Sequence, residues 1–184
     1  MDDQQLQDVL PAAQTGQAWA LQALHEQLAP RVHAYLASRG ASEPEDLTSE
    51  VFLTVFPRLA TVTGGAAGLR TFVFSVAHAR LVDDLRRRSR REPVVPYEPD
   101  RDRRVSAAAE DDALASVGTD RVRRLLAALA PDQRDVLTLR VLGDLTVEQV
   151  ADALGKTEGA VKQLQRRGLI ALRRTLQAEA GADR

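Results

Sequence analysis

Residues 69 to 91 read LRTFVFSVAHARLVDDLRRRSRR, and their spacing constrains the fold more than any other feature of the chain. Leu69, Val73, Ala77, Leu81 and Leu85 recur at every fourth position, and Phe72, Val76 and Val82 widen the stripe. A repeat that follows the turn of a helix cannot also follow the two-residue alternation of a strand, so the segment is helical. The width of the stripe predicts burial on more than one side. The helix then turns basic: Arg86, Arg87, Arg88, Arg90 and Arg91 follow one another with Ser89 between them. The basic run therefore projects from the end of an anchored rod.

The same period runs through a first helical block from about Gln17 to Arg91. Leu21, Leu24 and Leu28, then Val32, Tyr35 and Leu36, fall at helical spacing, with Pro30 suited to a helix start and Gly40 to a stop. In PEDLTSEVFLTVFPRLA, Phe52, Val55, Phe56 and Leu59 form an apolar face, while Asp46, Ser49 and Glu50 lie on the polar side. TVTGGAAG is a loop by its glycines. Trp19 and Tyr35 are expected as core anchors. With apolar residues at 44% and aromatics at 4%, and with Ala, Leu and Arg recurring, the composition favours helices throughout.

Residues 92 to 118 change character. EPVVPYEPDRDRRVSAAAEDDALASVG carries prolines and acids without a sustained apolar period, and such a stretch buries too little apolar surface to offset its ordering entropy. It reads as a flexible linker. The formal net charge of -1 thus conceals a segregated arrangement, a basic helix end beside an acidic tether. The expected architecture is all-α: two small helical domains, residues 14–91 and 119–178, joined by the linker at 92–118, with the second a four-helix domain.

The chain has no cysteine, which excludes disulfides and thiolate metal sites. Its start, MDDQQLQDVLPAAQ, lacks the apolar core of a secretion signal, and no run approaches bilayer-spanning length, so a cytoplasmic protein without membrane insertion is expected. An enzyme is not expected. His25, His33 and His78 fall on separate helices without metal-ligand spacing, no glycine loop cradles phosphate, and the adjacent Asp83 and Asp84 cannot share a helix face. No metal and no cofactor is implied.

In the second block Val122, Leu125, Leu126 and Leu129 make one stripe, Pro131 opens the next helix and Gly143 closes it. The stretch LTVEQVADALGKTEGAVKQLQRR that follows is the most informative. Thr146 and Gln149 form a capping box, Val147, Val150, Ala151 and Leu154 face inward, Gly155 supplies a tight turn, and Thr157 caps a second helix whose Val161 faces the first. A small residue, a turn glycine four positions on and an apolar contact six beyond that are what a helix-turn-helix needs. On its second helix Lys162, Gln163, Arg166 and Arg167 point away from the apolar side and suit phosphates and base edges in a major groove. A helical hairpin with a solvated polar face is the plainer alternative.

Taken in order, these segments resemble the extracytoplasmic-function (group IV) sigma factors of bacterial RNA polymerase, over Gln14 to Leu176. GQAWALQALHEQLAPRVHAYL is similar to the family's first helices, PEDLTSEVFLTVF to its EDL and EVF helix, LRTFVFSVAHARLVDDLRRRSRR to its promoter-melting helix, and LTVEQVADALGKTEGAVK to its promoter-reading helix-turn-helix. The resemblance implies that Asp46, Ser49 and Glu50 dock on the polymerase beta-prime subunit. It implies that Thr61 and Thr63 of the loop at 61–65, with His78, Arg80 and the run Arg86, Arg87, Arg88, Arg90 and Arg91, engage the −10 element. Thr157, Lys162, Gln163, Arg166 and Arg167 would read the −35 element. Phe72 stands where the family usually has Trp. His78 and Ala79 stand where it often has Arg-Asn, which shifts −10 reading toward the loop. Leu164 replaces an Arg of the recognition helix, which implies a different −35 preference.

The implied partners are core RNA polymerase, through its beta-prime and beta subunits, promoter DNA and an anti-sigma protein that can hold the chain at the membrane; the free chain is expected as a monomer. Two other classes fit parts of the pattern. A dimeric helix-turn-helix repressor or activator would bind duplex DNA without polymerase, and a decoy would bind an anti-sigma protein but needs neither the Arg run nor the recognition helix. The acidic linker suits either a path through the polymerase's RNA exit or a solubilising tether.

Overall fold

The structure, a computed structural model, describes residues 3–91, 121–122 and 124–182. The linker expected at 92–118 lies outside the described residues. Every regular element described is a helix: α1 (Asp3–Gln14), α2 (Ala18–Ser38), α3 (Pro44–Val55) with a 3-10 turn (Phe56–Thr61), and α4 (Gly65–Arg91). In the second half come α5 (residues 121–122 and 124–127), α6 (Pro131–Val141), α7 (Val147–Leu154) and α8 (Glu158–Ala182).

Several local expectations change. Helical structure begins at Asp3 rather than near Gln17, because Leu6, Leu10 and Ala13, spaced by four and three, give α1 an apolar edge that is fully inside the core. Pro30 does not start a helix but lies within α2, exposed, where water can bond the carbonyl that its missing N–H leaves unpaired. His25 and His33 consequently share one helix. The glycine loop is shorter than TVTGGAAG, since α4 already begins at Gly65.

The first core gathers Leu24, Leu28, Val32 and Leu36 of α2, Val51, Phe52 and Val55 of α3, and Leu69, Val73, Ala77 and Leu81 of α4. The expected stripes are therefore buried. Phe74, outside the four-residue repeat, is also buried, with its ring edge-on to Tyr35 at 5.9 Å. It reaches the α6–α7 turn, where a Cβ on Gly143 would lie 3.3 Å from its ring. Helix α4 packs against α1, α2, α3 and α7, which accounts for the wide apolar stripe. Burying such a ring contributes about 2 kcal/mol or more.

A charged contact crosses the same seam. Arg39, at the end of α2, places Nε 2.5 Å from Asp135 Oδ1 of α6, and both side chains are nearly withdrawn from solvent. Beside them Tyr35 is fully buried and its hydroxyl lies 2.9 Å from His78 Nδ1 of α4. Burial holds the Tyr35 phenol well above its usual pKa, with the charge of Asp135 adding to the effect, so the ring keeps its proton. Gln149 of α7 donates Nε2 to the Ala67 carbonyl of α4 at 3.2 Å. Trp19, expected in the core, is 58% exposed and bonds only its neighbour Gln17 through Nε1 among the described contacts. The helix stripe of α2 runs through Ala20 and Leu24 and leaves position 19 on the outer side.

Candidate nucleic-acid interface

The helix-turn-helix forms as its residues dictate. Gln149 N donates to Thr146 Oγ1 at 3.2 Å and Thr146 N to Gln149 Oε1 at 2.7 Å, a reciprocal cap that satisfies two donors at the start of α7. Gly155 ends α7 at φ 61°, the left-handed conformation that a Cβ disfavours. Thr157 Oγ1 accepts from Ala160 N at 3.2 Å and starts α8. Ala151 and Val161 are buried between the helices, so the crossing is fixed by local chemistry.

This packing turns the outer face of α8 to solvent. Thr157, Lys162, Gln163, Arg166 and Arg167 are all exposed. Gln163 and Arg167 line one shallow groove of about 400 Å³ with Lys156 and Asp132, and Lys156 Nζ is 3.0 Å from the Asp132 carboxylate. Lys162 is held 2.9 Å from Glu158 one turn earlier. On the far side a groove of about 530 Å³ includes Lys162, Arg166 and Arg173 together with exposed Leu169 and Ile170. A row of cations and an amide along one helix can meet phosphates and base edges together.

The arginine end of α4 divides. Arg86, Arg87 and Arg90 are exposed, and Arg91 is the last residue of the helix. Arg88, also exposed, bends back, donating Nη2 to the Gly40 carbonyl at 2.6 Å and lying 4.0 Å from Asp84. Asp84 is buried and accepts from both the backbone N–H and the hydroxyl of Ser42, at 3.2 and 2.9 Å. The Asp pair is thus split, Asp83 outward and Asp84 inward, as adjacent helical positions require.

Thr61 and Thr63 are exposed at the other end of α4, Thr61 closing the 3-10 turn and Thr63 in the short loop that leads from it to Gly65. Gly68 shapes that loop, because a Cβ there would lie 1.8 Å from the Thr63 carbonyl oxygen. His78 does not sit with this loop: it lies about 20 Å further along the axis, half-buried at the seam with Tyr35, and burial holds its imidazole below the usual value. Arg80 is tied into the fold. Its guanidinium donates to Thr54 Oγ1 at 2.9 Å and lies 3.9 Å from Glu50, tying α4 to α3.

On α3, Asp46 and Ser49 are exposed and Glu50 is half-buried. Ser49 Oγ donates to the Glu45 carbonyl at 3.2 Å, and the Glu45 carboxylate is 2.9 Å from His33, whose hydrogen bond holds its pKa below the usual carboxylate value. One turn beyond Ser49 and Glu50 stands Leu53, 74% exposed, which sequence reasoning passed over. It follows Asp46 by seven and Ser49 by four, so helical geometry places it on the same face. That offset was readable from the chain, but an isolated leucine among apolar neighbours gives no sign of pointing outward.

Comparison with known proteins matches two regions of the chain. Sigma-70 region 2 matches residues 24–91, and Sigma-70, region 4 matches residues 125–174. The chain is 31% identical over 181 residues to the ECF RNA polymerase sigma factor BldN of Streptomyces coelicolor, covering 97% of this chain and 69% of that one. It is 31% identical to SigD of Mycobacterium tuberculosis, over 92% of this chain and 82% of the relative, and 35% identical to ShbA of Streptomyces griseus, over 70% and 69%. Among solved structures, CnrH in complex with the cytosolic domain of CnrY shares the fold, with a TM-score of 0.68 at 18% identity over 96% of this chain and 99% of that one. The exposed basic face of α8, the arginine end of α4 and both matched regions lead to one conclusion: the chain belongs to the ECF family of RNA polymerase sigma factors.

Proposed function

We propose that the three exposed surfaces divide the work of promoter-specific initiation. The face of α3 with Asp46, Ser49, Glu50 and Leu53 docks on the beta-prime subunit of core polymerase. The loop at 61–65 holds a base of the −10 element, while Arg86, Arg87, Arg90 and Arg91 neutralise phosphates beside it. Gln163, Arg166 and Arg167, with Lys162 and Thr157, read the −35 element from α8. His78 and Arg80 act within the fold, through the seam and through α3. The observation that carries this reading is the double cap around Gly155, which aims α8 outward. Domain limits at 14–91 and 119–178 extend to include α1, since Leu6 and Leu10 belong to the same core.

In the described arrangement α6 and α7 rest against α2 and α4. A chain of 184 residues folded in this way has a radius of gyration of about 16 Å. The −10 and −35 elements lie about 25 base pairs apart, roughly 85 Å of B-form duplex. The seam must therefore part before both are read at once. A segment as long as 92–118 can span at most about 90 Å. The closed arrangement is a form for the free chain or for a chain held by an anti-sigma protein at the cytoplasmic side, a kind of partner that CnrH has in CnrY.

The test is run-off transcription with purified core polymerase on a promoter library, with and without the protein. Initiation from a defined subset only when the protein is present is the expected result. Binding of free duplex as a dimer, without initiation, would overturn it.

A further inference from the structure

Helix α1 lies before the residues matched by Sigma-70 region 2, yet it touches the candidate −10 loop on both flanks. Gln14 donates Nε2 to the carbonyls of Leu59 at 3.1 Å and Val62 at 2.8 Å. Two turns earlier Gln7 accepts at Oε1 from the backbone N–H of Ala66 at 2.8 Å. The seven-residue offset puts both amides on one face of α1, beside the edge that Leu6, Leu10 and Ala13 bury. The partners fix each polarity. Carbonyls only accept, so Gln14 presents its NH2; an N–H only donates, so Gln7 presents its oxygen. The Ala66 N–H is also one of the donors that a helix leaves unpaired in its first turn, and Gln7 caps it from a different helix.

We propose that Gln7 and Gln14 are positioning residues for −10 recognition, holding the 61–65 loop in the shape that presents Thr61 and Thr63 to an extruded base. The proposal rests on the reading of that loop as the −10 reader. A loop held only by its ends has several conformations at similar energy, and base discrimination needs groups placed within about 0.5 Å. The two amides supply three bonds across the loop from a rigid element, and the close approach of Gly68 to the Thr63 carbonyl braces it from beneath.

The experiment is run-off transcription by the full chain with core polymerase on templates that vary each −10 base in turn, alongside the affinity of each variant for core polymerase. Gln7→Ala and Gln14→Ala are expected to reduce the preference among −10 bases about threefold to tenfold with polymerase affinity unchanged. Gln7→Glu keeps an acceptor beside the start of α4 and restores the preference, whereas Gln14→Glu sets acceptors against two carbonyls and does not. Undiminished preference in the alanine variants, or equal recovery by both glutamates, overturns the proposal. A Thr61→Ala, Thr63→Ala double variant separates the two readings. If it too leaves the preference intact, the loop is not the −10 reader and the proposal falls with it; if it alone loses the preference, the loop reads the base and only the glutamine clamp is wrong.

Discussion

His78 carries the residue-scale prediction that depends on pH. Its imidazole is held below the usual 6.5, first by burial, with Arg39 and Lys156 acting in the same direction and Asp135 and Asp132 against it. Protons therefore bind the parted or unfolded chain more readily than the closed one. The closed packing keeps its full stability above about pH 6.5 and loses it as pH falls from there through the depressed value. Energy transfer between dyes on α3 and α8 should fall over that window, and His78→Gln should flatten the response. Gly68 supplies a second test: Gly68→Ala must displace the Thr63 carbonyl and is expected to cost about 2 kcal/mol or more, read as a lower denaturant midpoint. Neither role was legible in the sequence. A histidine on an apolar helix and a glycine in a glycine-rich loop show their residue types but not which atoms approach them. Tyr35 was legible as a core anchor because it continued a stripe; Trp19 was misread because its size outweighed its place off that stripe.

Among the elements, α7 and α8 were the most legible, since each signal in them acts within a few residues. Thr146→Ala is expected to cost about 1 kcal/mol through the lost cap. Gly155→Ala, with φ at 61° and open space around it, should cost about 1 to 2 kcal/mol from backbone strain alone. Both should weaken −35 binding in gel-shift titrations while leaving polymerase docking intact. α3 was legible as an amphipathic helix with Asp46, Ser49 and Glu50 on its polar side, whereas the exposure of Leu53 on that side was not. Leu53→Asp should lower core-polymerase affinity tenfold or more, about 1.4 kcal/mol, without disturbing the fold, because the side chain is already in solvent. α1 was hidden by its acids, its glutamines and Pro11, which dilute a stripe of only three buried positions.

The seam is the feature of the whole molecule that no local pattern could disclose. A period shows which face of a helix is buried; it does not show against what, and Arg39 and Asp135 stand 96 residues apart. Asp135→Ala would leave the Arg39 guanidinium buried without its partner, a cost of about 3 kcal/mol or more that parting the seam relieves. Small-angle scattering should then give a radius of gyration clearly above about 16 Å, whereas loss of helical circular dichroism instead would show unfolding. At the opposite end of α4, Asp84 and Arg88 grasp Ser42 and Gly40 in the turn that leads directly into α3. The root of the arginine run and the root of α3 are thus riveted to the same short turn. A force applied at the arginines would therefore reach α3 through a stiff lever, and would not be absorbed in slack between them.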